Sequence, residues 1–390
     1  MKIHFLNMTL VGFSLVAVSG LLQAETVKAS ETVVYSQLVE PDRQQHLGDR
    51  AVEAKSRVFY KKVNGKQLNA GVEMVMDGDS AVLQVTPLDK VVNGRRVAQR
   101  QVPVNMTLSN GRETRNLDSD EIALHKKSQG LREQYPEMYG RAHAARIPES
   151  LGRGRMKLSA GGAAKADDEY VVYVLDKNSD MELNVATPAP RVARNGRLTL
   201  DAHMSSAAGP MTAEQIDAEL VSPQGKRYPV KGRLAKGRFH ADWPVEVAAE
   251  TSVGELWNIE VRALAKNAAG EPVERVAVVA TSVFEPTAAL QQVRADGAAL
   301  QLALDVSAPG RYEVRALVYG TDYDGELKPA MLNYQAEWLQ PGQQQMLVAV
   351  DQVRLAASGL SAPYEVRDIQ LLDQKRMAVL ESREGRWELK

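Results

Sequence analysis

The chain has 390 residues, 44% of them hydrophobic, with 48 basic and 49 acidic side chains and a formal charge of -1. That length sets a scale of about two to four domains, the apolar content excludes wholesale disorder, and the charge balance makes nucleic acid a poor partner. The lack of any cysteine excludes disulfides, a lipid-modified cysteine, thiolate catalysis and iron–sulfur or zinc–thiolate centres.

Residues 1–24 read as a signal peptide: Lys2 and His4 precede an apolar stretch from Phe5 to Leu22, and Ser19, Gly20 and Ala24 supply small residues near a cut after Ala24. Leu22 is larger than such a cleavage site prefers. No later stretch reaches the roughly twenty apolar residues that a transmembrane helix needs. The expectation is therefore an exported protein, periplasmic or secreted, with no transmembrane segment in the mature chain.

An N-terminal β domain is expected over residues 25–188. Val72, Met74 and Met76 share one parity before an Asp-Gly-Asp turn, which predicts a hairpin, and Asn93-Gly94 and Asn110-Gly111 repeat the signal. Residues 117–158 lack β-branched alternation and read as an irregular basic insertion, with a short helix over Glu121–Leu131 limited by Gly130 and Pro136. Alternation returns at Tyr170, Val172 and Val174. Met181, Leu183 and Val185 are then assigned to a closing strand of the same domain, and Pro188 and Pro190 to a linker.

Two further modules follow, over residues 191–285 and 286–390. In the first, Leu198 and Leu200, then Phe239, Ala241 and Trp243, then Trp257, Ile259 and Val261 recur at period two. In the second, Tyr312, Val314, Ala316 and Val318 share one face, which leaves Glu313 and Arg315 to face water. Short strands at this spacing without intervening helices predict an all-β chain: a β-sandwich-like N-terminal domain followed by two immunoglobulin-like sandwiches.

The last module contains Gly342 with an apolar strand, then Ser358-Gly359-Leu360, Ala362-Pro363-Tyr364 and Asp368. On these residues it resembles the closing segment of an exported gammaproteobacterial family with an N-terminal β domain and tandem immunoglobulin-like or fibronectin-like C-terminal modules. The resemblance implies a modular exported protein and carries no catalytic residues across.

Motifs for chemistry are sparse. There is no GxSxG elbow, HExxH, P-loop or dinucleotide glycine pattern, and Ser361 in GLSAPY reads as part of a turn. His46, His125, His143, His203 and His240 have no metal-ligand spacing, although His203 and His240 fall on neighbouring strands. Asp322, Asp324 and Glu326 present alternating carboxylates around Gly325, a weak calcium pattern that an Asx turn also produces. Arg141, Arg146, Arg153 and Arg155 make the basic stretch the candidate interaction segment. Tyr135, Tyr139, Trp243 and Trp338 are candidates for a carbohydrate platform, although tryptophans at strand period more often pack in a core or along an edge. The resulting expectation is a non-catalytic binding or scaffolding protein with a protein or polysaccharide partner. The alternative is an accessory factor or cryptic hydrolase with a site in residues 117–158.

Overall fold

Period-two alternation puts apolar side chains on one face of each strand, and burying those faces requires a second layer. The computed structural model describes residues 31–40, 47–92, 95–97, 103, 105–119, 122–123, 142–247 and 255–390. Within them the chain is all-β and almost wholly antiparallel, folded as three two-layer units with three apolar cores. The signal peptide assigned to residues 1–24 and the body of the helix expected over Glu121–Leu131 lie outside the described residues.

The first two described strands are β1 (Val33–Leu38) and β2 (Val52–Ser56), and neither belongs to the first unit. That unit comprises β3 (Val58–Asn64), α1 (Gly65–Ala70), β4 (Val72–Met76), β5 (Ala81–Pro87), the hairpin β6 (Lys90–Val92) and β7 (Arg95–Val97), β8 (Thr107–Ser109), β9 (Thr114–Asn116), β10 (His143–Ile147), β11 (Gly154–Ser159) and β12 (Glu169–Leu175). Sheet β10-β5-β12-β3 packs on sheet β4-β11-β8-β9 around Phe59, Leu83, Met156 and Leu158. Asn64 and Gln67 form a capping box that starts α1 immediately after β3.

Three findings differ from the sequence reading here. The Asp-Gly-Asp stretch is no hairpin: β4 and β5 lie in opposite sheets, because the backbone N–H groups of Asp77 and Gly78 donate to the carboxylate of Asp176 instead of closing a ladder. The basic stretch is not irregular where it is described. Ala145, Ile147, Leu151, Met156 and Leu158 fill the first core, and β10 and β11 present their arginines outward between them.

The second unit contains β13 (Glu182–Thr187), β14 (Arg191–Ala193), β15 (Arg197–Ser206), β16 (Gly209–Pro210), β17 (Ala213–Val221), β18 (Arg227–Val230), β19 (Arg233–Ala235), β20 (Arg238–Pro244), β21 (Trp257–Lys266) and β22 (Pro272–Phe284). Sheet β19-β20-β15-β13-β2 packs on β14-β22-β21-β17-β18. The third difference lies here. Met181, Leu183 and Val185 belong to this second core, and β13 pairs with β15 on one side and β2 on the other. Parity alone named the buried face of β13 but not the core it enters.

The third unit contains β23 (Ala288–Asp296), β24 (Ala299–Val306), β25 (Gly310–Thr321), β26 (Leu327–Leu339), β27 (Gly342–Ala349), α2 (Gln352–Ala356), β28 (Ser361–Asp373) and β29 (Ala378–Leu389). Its larger sheet runs β1-β26-β25-β28-β29 and packs on β23-β24-β27. Tyr312, Val314, Ala316 and Val318 are buried together in the core, as alternation requires.

The opening segment therefore runs along the molecule against the chain order of the units. Strand β1 pairs with β26, Val33 facing Ala336 and Tyr35 facing Tyr334. Next, the carbonyl of Leu47 accepts from Gln370 Nε2 at 2.6 Å and Ser382 Oγ at 3.1 Å, and Asp49 pairs with Arg191. Strand β2 then completes the second sheet, and Ser56 Oγ donates to the carbonyl of Val276 at 2.6 Å.

Candidate functional site

At the junction of the first two units, Arg275 on β22 and Asp176 form a fully buried ion pair at 2.8 Å. Arg275 also donates to Ser179 Oγ at 2.6 Å and to the carbonyls of Met181 and Glu274. Burial lowers the arginine's proton affinity and Asp176 works against that shift. Arg275 thus makes four hydrogen bonds inside the protein and Asp176 accepts three, so the cluster anchors the junction. Around its rim, Arg262 lies 4.2 Å over the ring of Tyr60 and Lys61 pairs with Glu274 at 2.9 Å.

The third unit carries the opposite kind of surface. The outward face of its larger sheet holds a hollow of about 590 Å³. Strand β1 supplies Val33 and Tyr35, β26 supplies Tyr334, Ala336 and Trp338, β25 supplies Arg311, Glu313 and Arg315, and Gln374 closes one end. Cross-strand register creates the aromatic part: Tyr35 and Tyr334 are direct partners, with ring centroids 5.9 Å apart at 42°. Tyr35 keeps 53% and Trp338 37% of their surface exposed, so these rings are open to a ligand.

The polar groups are held in place around the rings. Arg315 Nε donates to Glu313 Oε1 at 2.6 Å, its guanidinium sits 5.4 Å from the Tyr334 ring, and Gln374 Nε2 donates to the other oxygen of Glu313. Arg311 donates to the carbonyl of Glu31 at 2.6 Å. Glu313 is only 9% exposed. This corrects the expectation that the polar parity of β25 faces open water: Arg315 of the same strand and Gln374 of the β28–β29 turn hold the Glu313 carboxylate. Burial pushes the Tyr334 phenol up, Arg315 opposes this and Glu313 adds to it, so the hydroxyl stays protonated at neutral pH.

The residues singled out from sequence are mostly scattered. Arg141, His46, His125, Tyr135 and Tyr139 lie outside the described residues. Arg146 points outward from the sheet of β10, whereas Arg155 points outward from the opposing sheet and lies 3.7 Å from Glu271. Arg153 lies 3.8 Å from Asp79. The described arginines thus share no single face. Asp322 Oδ1 accepts from the N–H groups of Asp324 and Glu326 at 3.0 and 2.8 Å, and Glu326 pairs with Lys328. Those carboxylates shape the β25–β26 turn. Among the described residues no group of three or more His, Asp or Glu side chains is placed to hold a metal.

His240 bonds Asp201 at 2.8 Å, and His203 faces Arg238 across the ladder; burial and that guanidinium lower the affinity of His203 for a proton. His143 is buried beside Asp118 at 3.3 Å. Trp243 packs against the second core, and Ser361 Oγ donates to the carbonyl of Thr321 in the turn entering β28. Of the two described aromatic candidates, Trp243 and Trp338, it is Trp338 that reaches the hollow. Its partners from β1 and β25 were invisible to local periodicity, which gives no information about which strands become neighbours.

Residues 23–176 match the N-terminal domain of DUF4785, a domain of unknown function, and residues 286–390 match its C-terminal domain. The chain belongs to the DUF4785 family. The N-terminal DUF4785 match ends at Asp176, the buried partner of Arg275. A crystal structure of a DUF4785 family protein from Legionella pneumophila is similar over 92% of this chain and 93% of its own, at 18% identity and a TM-score of 0.74. That likeness shows a common DUF4785 fold. A calcium-stabilised adhesin with which an Antarctic bacterium binds ice is aligned over 81% of this chain and 69% of its own, at 11% identity, but with a TM-score of 0.17. No curated protein matches the sequence. Among the described residues of this DUF4785 chain, no helix is long and apolar enough to cross a membrane.

Proposed function

We propose that this DUF4785 protein is an exported, non-catalytic binding protein of the bacterial envelope or extracellular space, and that the hollow of its third unit holds an uncharged polysaccharide chain. In this reading residues 1–24 are a signal peptide and the second and third units are immunoglobulin-like modules. The observation that carries it is the grouping of Tyr35, Tyr334 and Trp338 with Arg315, Glu313 and Gln374 on one open face. Aromatic rings present an apolar, electron-rich surface to the C–H faces of sugar rings, while guanidinium, carboxylate and amide groups offer fixed donors and acceptors to hydroxyls. Arg315 and Glu313 offset one another's charge and Arg311 is turned to the carbonyl of Glu31, which favours an uncharged chain over an acidic one.

The test uses the protein from residue 25 onward in calorimetry with cellohexaose, maltohexaose and chitohexaose, together with capture from envelope and culture supernatant. The expected result is saturable binding of at least one hexasaccharide, lost in Trp338→Ala and Tyr334→Ala variants that retain the parent melting temperature. Equal binding by parent and variants, or captured polypeptide with no saccharide, overturns it.

A further inference from the structure

Resting on the polysaccharide reading, we infer that β1 is a docking strand that completes the hollow, so that saccharide binding and β1 docking strengthen each other. Five of its six residues are exposed and only Ser36 is buried. Hydrophobic burial therefore contributes little to holding it, and the ladder with β26 must do most of that work.

Two arginines add fastenings, one just before the strand and one at its fourth residue. Arg311 donates to the carbonyl of Glu31 just before it, and Arg354 of α2 donates to the carbonyl of Ser36 at 2.6 Å. Asp351 caps α2 by accepting from the N–H of Arg354 at 3.0 Å, and its carboxylate lies 3.3 Å from the guanidinium. This places a cation on an outward carbonyl of an edge strand.

Strand β1 supplies Val33 and Tyr35 to the hollow, so a saccharide seated against Tyr334 and Trp338 touches two segments from opposite ends of the chain. A ligand that contacts Tyr35 only when β1 is docked binds the docked form more tightly, and by linkage docking raises its affinity by the same factor. The opening segment then reports occupancy of the third unit to the second, because it continues through Leu47 and Asp49 into β2. Neither Arg354 nor the facing pair Val34 and Gln335 lines the hollow.

These three positions allow docking to be varied without altering the ring surface. The chain has no cysteine, so Val34→Cys with Gln335→Cys forms a single disulfide across a facing pair, within the span that a disulfide bridges. Hexasaccharide affinity and amide hydrogen exchange in residues 33–38 are measured in the parent, in Arg354→Ala and in the double-cysteine chain with and without Arg354→Ala. The expected result is that Arg354→Ala weakens binding by about fivefold or more, that oxidation of the disulfide restores it, and that saccharide slows exchange in β1. Equal affinity in all forms, with β1 exchange unchanged by saccharide, overturns the coupling and leaves the binding face standing. If the oxidised chain, whose β1 is fixed in place, binds none of the three hexasaccharides, the function proposed above falls and this inference falls with it.

Discussion

Two arginine–carboxylate pairs show how one interaction serves different ends. Arg275 and Asp176 have no solvent-exposed side-chain surface, whereas Arg315 and Glu313 retain 35% and 11%. The first pair is surrounded by Ser179, Met181 and the turn at Asp77, and its removal of charge from water is compensated by several internal bonds. The second pair stands beside open rings and has room for a guest. Burial of a charge pair marks a place where the fold is fixed; partial exposure beside aromatic surface marks a place where something else can bind.

The largest effect follows from breaking the buried pair. Arg275→Met leaves Asp176 uncompensated in the interior and is expected to destabilise the protein by about 3–5 kcal/mol in urea unfolding, with Asp176→Asn in the same background recovering part of the loss. Next, Gly78→Ala would bring a methyl group to 2.6 Å from Asp176 Oδ1 and from the Ser179 backbone nitrogen. Overpacking of that kind is expected to cost about 1–3 kcal/mol by the same measurement.

Arg315→Met reverses the balance. Its stability loss is expected to be smaller than that of Arg275→Met, because Glu313 keeps the bond from Gln374 and some access to water, while hexasaccharide affinity falls about tenfold in calorimetry, or about 1.4 kcal/mol. A smaller effect is expected at Glu260, where burial raises the carboxyl but bonds from Tyr60, Arg227 and Arg262 outweigh it, holding the group below its ordinary 4.5. A lowered folded-state value stabilises the protein above the unfolded value, and that contribution disappears as pH falls through the folded one. Melting temperatures measured between pH 6 and pH 3 should therefore decline less in Glu260→Gln than in the parent. The smallest effect is expected for Arg146→Glu, an outward strand position: within about 0.5 kcal/mol in urea unfolding, and no change in saccharide affinity.

Alternation identified the buried faces of β15, β21 and β25, because each strand carries its own record of which side is covered. It also placed the turns at Asn110-Gly111 and at residues 322–326, where Gly111 and Gly325 adopt φ of +87° and +81°. It could not give the partner of each strand. Strand β13 reads equally well as the end of one unit or the start of the next, and only the docking of Met181, Leu183 and Val185 decides between them. The hollow was less legible still. Trp338 could be named from composition, but Tyr35 reaches Tyr334 only through pairing between the two ends of the chain, and Glu313 loses its water only when Gln374 and Arg315 close over it.

The reversed course of the opening segment also sets an order of assembly. Ribosomes make β1 before any other described strand, yet β26, its only ladder neighbour among the described residues, comes near the end of the chain. Val33–Leu38, an uncharged VVYSQL sequence with a high tendency to pair, must therefore spend synthesis without its native mate. Closing so long a loop is a late event, and any delay in making the third unit lengthens the interval during which neighbouring nascent chains can capture the strand.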